Sequence, residues 1–195
     1  MKNIQKYALI LGLGALIAGC NQSAKDSKAK ADSANYLKDS ANKTIPHPGP
    51  EISGDDAKFA VEAANGGMAE VILGKLAMEK ASDPRVKDFG AMMVKDHSQA
   101  NAELKKIAAA RNITLPDSIS ADEQKLKNDL SAKSGADFDK AYVQAMLDDH
   151  KDDIKAFKEA ANKVKYPDLL AFVKKTTPVL QTHLDAIQKI HDGMK

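Results

Sequence analysis

The sequence predicts an all-α fold, a four-helix bundle with a short extra helix in the crossover between helices two and three. Three observations carry this. Apolar side chains recur about every 3.6 residues over four long stretches, and each stretch stops at a proline or a turn-forming cluster. The Val-, Thr- and aromatic-rich runs of a sheet protein are missing, and aromatic residues make up only 5% of the 195.

The first 19 residues stand apart from the bundle. Lys2 and Lys6 precede the apolar run Tyr7 to Gly19, and Cys20 follows at once. A charged start, a short apolar run and small residues before a cleavage point form a secretory signal, and 13 residues fall short of the roughly 20 that a spanning helix needs. Ile17-Ala18-Gly19-Cys20 resembles the lipobox of bacterial lipoproteins, which implies a diacylglyceryl group on the Cys20 thiol as the first mature residue. The expected organisation is therefore a lipoprotein signal peptide over 1–19, a disordered tether with lipidated Cys20 over 20–53, and a bundle domain over 54–195. The expected location is the cell envelope, lipid-anchored at the outer membrane and facing the periplasm or the surface. The membrane is then a partner through the lipid, and the sequence names no protein partner.

The tether expectation rests on composition. Asn21 to Ser53 is rich in Ser, Ala, Lys, Asp and Asn and ends in Pro46, Pro48 and Pro50, too little apolar surface to offset the entropy of ordering. His47, between two of those prolines, is expected to be solvated. The first long helix is predicted over Asp55 to Ala81 along Phe59, Ala63, Gly67, Gly74 and Ala77. Ser82-Asp83-Pro84 ends it, and Asp83 caps a second helix that runs to about Arg111. Asn112 to Pro116 breaks the pattern, Ser120 with Glu123 opens the short helix as a capping box, and a third long helix spans about Ala136 to Lys165. Tyr166-Pro167-Asp168 turns the chain into the last helix, to about His191.

Composition excludes several functions. Of 29 basic residues only Arg85 and Arg111 are arginine, and acids interleave with the lysines, which is no footprint for nucleic acid. One Cys rules out a disulfide framework and a multi-thiolate metal site. Loss of Lys2 and Lys6 with the signal would leave 27 basic residues against 27 acidic ones. Neither a Gly-x-Ser-x-Gly elbow nor a phosphate loop is present, so an ordinary hydrolase has no support, and whether the chain is an enzyme stays open.

One metal-competent side chain interrupts the apolar stripe of each long helix: Glu70, His97, His150 and His183. Their heights agree. Glu70 and His97 are equidistant from the Asp83–Pro84 bond, and His150 and His183 from the Tyr166–Pro167 bond. His97 lies 13 residues beyond Pro84 and His150 lies 14 beyond Ala136, so a crossover that sets those two helices parallel puts all four residues in one layer. Three imidazoles and one carboxylate are ordinary ligands for one divalent ion, Fe(II), Mn(II) or Zn(II). Asp96 and Asp149, each one residue before a histidine, are candidates to fix a ring tautomer from outside the ligand set. If all four residues ligate, the centre is closed and suits structural or storage use; if Glu70 is loose, an open position permits redox or hydrolytic chemistry. The alternative is a non-catalytic structural or interaction lipoprotein whose buried histidines are only hydrogen-bonded.

An internal echo joins two of these helices. Tyr142, Met146, Asp149, His150, Phe157 and Ala161 repeat the offsets of Phe89, Met93, Asp96, His97, Leu104 and Ala108. With Phe59 to Ala64, Gly67 to Val71, Met93 to His97, Phe138 to Tyr142, Met146 to His150, Thr177-Pro178 and His183-Leu184, the stretch from about Asp55 to Ile190 resembles the bacterial family called domain of unknown function 4142. That resemblance implies a ferritin-like bundle in an exported protein and brings no reaction. Di-iron ferritin-like proteins use Glu-x-x-His on two helices, whereas Val94, Leu147 and Leu180 stand three residues before the histidines here. The layer is thus expected to support a mononuclear centre and no more.

Overall fold

The computed structural model describes residues 26–44 and 53–194. The signal segment, Cys20, His47 and the prolines at 46, 48 and 50 lie outside the described residues. Every regular element among the described residues is an α-helix: α1 Ser27–Thr44, α2 Gly54–Lys80, α3 Pro84–Ala110, α4 Ala121–Ser131, α5 Gly135–Lys163 and α6 Pro167–Asp192.

Local chemistry sets the boundaries. Asp83 accepts from Arg85 N at 2.9 Å and Pro84 fills the first turn of α3, where a missing N–H costs nothing. At the other end Asn112 adopts φ 54°, and Ile113 N donates to Ala108 O at 2.8 Å, a left-handed cap that Asn tolerates. Ser120 Oγ accepts from Glu123 N at 3.3 Å to open α4.

Two buried aspartates tie the hairpins α2–α3 and α5–α6 together. Asp139, near the start of α5, accepts from Ser82 N and Asp83 N at 3.0 and 2.9 Å, holding the α2–α3 turn. Asp56, near the start of α2, accepts from Lys165 N and Tyr166 N at 3.1 and 2.8 Å, holding the α5–α6 turn. These contacts set α5 antiparallel to α2 and so parallel to α3. The crossover climbs back along α2, where Asn65 meets Ser120 and Lys80 Nζ donates to Ser131 O.

The interior divides at one height. Below lies a cluster built on Ala60, Leu104, Phe157 and Phe172; above lies one built on Leu73, Met93, Tyr142 and Ile187. Between them, on each long helix, falls one of Glu70, His97, His150 and His183, all at most 6% exposed. Close helix approach supports this. A Cβ on Gly74 would stand 2.7 Å from Gly90 O, and one on Gly90 would stand 2.6 Å from Gly74 O, so α2 and α3 touch backbone to backbone one turn from Glu70.

The segment expected as a disordered tether is a helix over much of its length. α1 lies on α2, with Asn35 Nδ2 donating to Thr114 O and Asn35 Oδ1 accepting from Thr114 N, both at 2.8 Å. Lys28 pairs with Glu62 at 2.8 Å, and Ser27 Oγ accepts from Asp117 N at 2.8 Å. Hydrogen bonds and a buried Ala31 hold it, while Tyr36 and Leu37 face out, 71% and 67% exposed. Apolar periodicity cannot report a helix held in this way.

Candidate metal centre

The four helices deliver their polar residues to one layer, as the spacing about the two turns requires. Glu70 Oε2 lies 2.6 Å from His97 Nδ1 and Glu70 Oε1 lies 3.4 Å from His150 Nε2. His150 Nε2 is 3.3 Å from His183 Nδ1, and His183 Nε2 is 3.1 Å from Asp96 Oδ2. The three imidazole centroids stand 5.2 to 5.9 Å apart in pairs, and Phe89 lies edge-on to two of the rings.

Protons can be placed by the partners. Met146 O, a carbonyl, can only accept, so the 2.9 Å contact assigns the hydrogen of neutral His150 to Nδ1 and leaves Nε2 a bare lone pair. Asp96, a carboxylate, accepts from His183 Nε2 and leaves Nδ1 of that neutral ring bare. The two bare nitrogens face each other. Lone pairs at this distance repel unless a cation joins them. For a tetrahedral ion with metal–nitrogen bonds of 2.0–2.1 Å, neighbouring ligand atoms lie about 3.3 Å apart.

Two further atoms of the layer have no partner: Glu70 Oε1 and His97 Nε2 are buried and make no hydrogen bond. Burial, helped by the charge of Glu123, pushes the Glu70 carboxyl well above the usual range. Burial also lowers His97 to about 4 against the pull of Asp149 and Asp96, and lowers His150 to about 3 with help from the other two rings. His183 is likewise lowered by burial, opposed by its bond to Asp96. The rings are therefore neutral at physiological pH, the form that binds a metal.

One ring nitrogen from each of His97, His150 and His183 lies within 4.8 Å of the others, and a second set of the same tightness joins Glu70, Asp149 and His150. The histidines thus meet as one ligand set, with Glu70 at its edge. Asp96 sits where the sequence suggested, fixing a tautomer. Asp149 does not: among the described residues no hydrogen bond joins it to a ring, and Met146 O orients His150 instead. The spacing reading missed Met146 O, which carries no side-chain signal, and Gly90, whose sequence resembles any helical glycine. A cleft of about 150 Å³ lies beside Asp96, lined by Ala100, Glu103, Lys175 and Val179.

No curated protein and no solved structure matches the chain. The family model described as Domain of unknown function (DUF4142) matches residues 41–190, most of the chain and all of its four long helices up to Ile190. The chain belongs to the DUF4142 family.

Proposed function

We propose that this chain is a lipid-anchored protein of the cell envelope whose ferritin-like bundle binds one divalent metal ion through His97, His150 and His183. The observation that carries the reading is the facing pair His150 Nε2 and His183 Nδ1, both bare and 3.3 Å apart. Their spacing is the ligand–ligand edge of a tetrahedral zinc-type site. The orphaned His97 Nε2 supplies a third nitrogen. Asp96, Met146 O and Glu70 each hold the far nitrogen of one ring, which is how metal-binding histidines are usually oriented. With three nitrogen ligands a fourth position is left for water or for Glu70 Oε1, so the centre is open to chemistry as well as to storage.

Lipid anchorage rests on the run Tyr7 to Gly19 followed by the chain's single Cys. None of the helices among the described residues is long and apolar enough to cross a membrane. The test of the metal reading is elemental analysis of protein purified without chelator, beside the His97→Ala/His150→Ala double variant. Stoichiometric metal in the parent and none in the variant is expected. Equal metal content would leave the histidines as a hydrogen-bonded layer of a structural lipoprotein.

A further inference from the structure

The helix α1 is docked with its polar side inward. Asn35 exchanges hydrogen bonds with Thr114, Lys28 pairs with Glu62, and Lys38 Nζ donates to Asn112 O and Thr114 Oγ1 at 2.9 and 2.7 Å. Asp39 faces the same way, its Oδ2 standing 3.2 Å from where a Cβ on Gly54 would lie. Among the described side chains of α1 the exposed ones are Ala29, Lys30, Ser33, Tyr36, Leu37 and Ala41. At about 100° per residue these six fall within one arc of roughly 140°, with Asp32 and Asp39 outside it. The outward face of α1 therefore holds no acid.

Tyr36 and Leu37 stand side by side on that face, 71% and 67% exposed, against 46% for Met78 and 38% for Val179, the other large apolar side chains exposed among the described residues. A surface helix normally hides its largest apolar side chains and shows its polar ones; α1 does the reverse. Two side chains of this size offer at most about 400 Å², short of the roughly 800 Å² per partner of a stable protein interface. A second copy of the chain is therefore a poor fit. A phenol beside an aliphatic side chain and a lysine suits a headgroup boundary, where Tyr keeps its hydroxyl in the polar zone and Lys reaches a phosphate. α1 also begins at Ser27, only seven residues after Cys20, so a lipid on that thiol leaves this helix close to the bilayer it enters.

We propose that the outward face of α1, through Tyr36, Leu37 and Lys30, seats on the headgroup boundary of the bilayer that holds the Cys20 lipid and so fixes the orientation of the bundle. This rests on the lipid-anchor reading above, because two apolar side chains are too few to hold a domain on a membrane by themselves. The lipid supplies the attachment, and α1 decides which side of the bundle turns to the membrane.

The chain has no Trp, so Tyr36→Trp places a single fluorophore on this face. The full chain, produced with its signal segment in a bacterial host and reconstituted in phosphatidylethanolamine–phosphatidylglycerol vesicles, is read with and without bromine on the lipid acyl chains. A parallel Val179→Trp chain reports from α6, which packs on α3 and α5 while α1 packs on α2. The Tyr36→Trp chain is expected to emit further to the blue and to lose about half its intensity to bromine, as a ring ~5–10 Å into the boundary would. The Val179→Trp chain is expected to lose almost none. Equal emission from Tyr36→Trp in both kinds of vesicle, with the chain still floating with them, would overturn the docking and leave the anchor standing, the face then being open to a protein partner. Equal quenching at both positions would overturn it too, since no one face would be turned to the lipid. A chain that does not float and carries no lipid mass on Cys20 would overturn the anchor reading, and this proposal with it.

Discussion

The two hairpins of the bundle are tied in the same way and equipped differently. Each turn is held by an aspartate from the other hairpin, Asp139 on α2–α3 and Asp56 on α5–α6. Yet α2–α3 contributes a carboxylate against an imidazole, Glu70 and His97 at 2.6 Å, a contact that one proton between them satisfies. α5–α6 contributes two imidazoles, His150 and His183, whose outer nitrogens are committed to Met146 O and Asp96. The Glu70–His97 contact uses one atom of each partner and leaves Glu70 Oε1 and His97 Nε2 unpaired. The second hairpin turns two bare nitrogens on each other at 3.3 Å, so each hairpin meets the layer with atoms it cannot satisfy by itself.

The reciprocity of the ties can be broken first. Asp139→Ala and Asp56→Ala each strip two backbone N–H groups of a carboxylate acceptor, which should cost about 3 kcal/mol apiece. Thermal unfolding should show both melting about 10 °C lower, and a large inequality would mean the hairpins are not equivalent in the fold. The asymmetry of the layer can be broken next. Zn(II) at about a hundred times its dissociation constant should stabilise the parent by ~2.7 kcal/mol, and His183→Ala should abolish that gain in a melting curve taken with and without the ion.

Asp96→Asn sharpens the same contrast without deleting a ligand. It weakens the hold on His183 Nε2 and should lower zinc affinity about tenfold, ~1.4 kcal/mol, measurable by competition with a chelating dye. The smallest effect belongs to the region outside both hairpins. Asn35→Ala removes two hydrogen bonds between α1 and Thr114 and should cost about 1 kcal/mol in chemical denaturation, with metal binding unchanged.

The height of the polar layer is legible in the sequence, for a geometric reason. Helices of regular rise joined by short turns convert residue number into height, so Glu70 with His97 and His150 with His183 could be levelled by counting from Pro84 and Pro167. Tautomers could not be read, because Met146 contributes its carbonyl and a backbone atom leaves no trace in residue type. α1 was lost to composition: its contacts run from Asn35 to Thr114 and from Lys28 to Glu62, polar pairs remote in sequence.

The docking of α1 changes how far the bundle can stand from a bilayer. A free tether from Cys20 to Ser53 would reach ~110 Å when extended, whereas α1 begins at Ser27, and the chain from Cys20 to Asp26 spans at most ~20 Å. With a lipid on Cys20, the bundle would ride against the headgroups rather than swing above them.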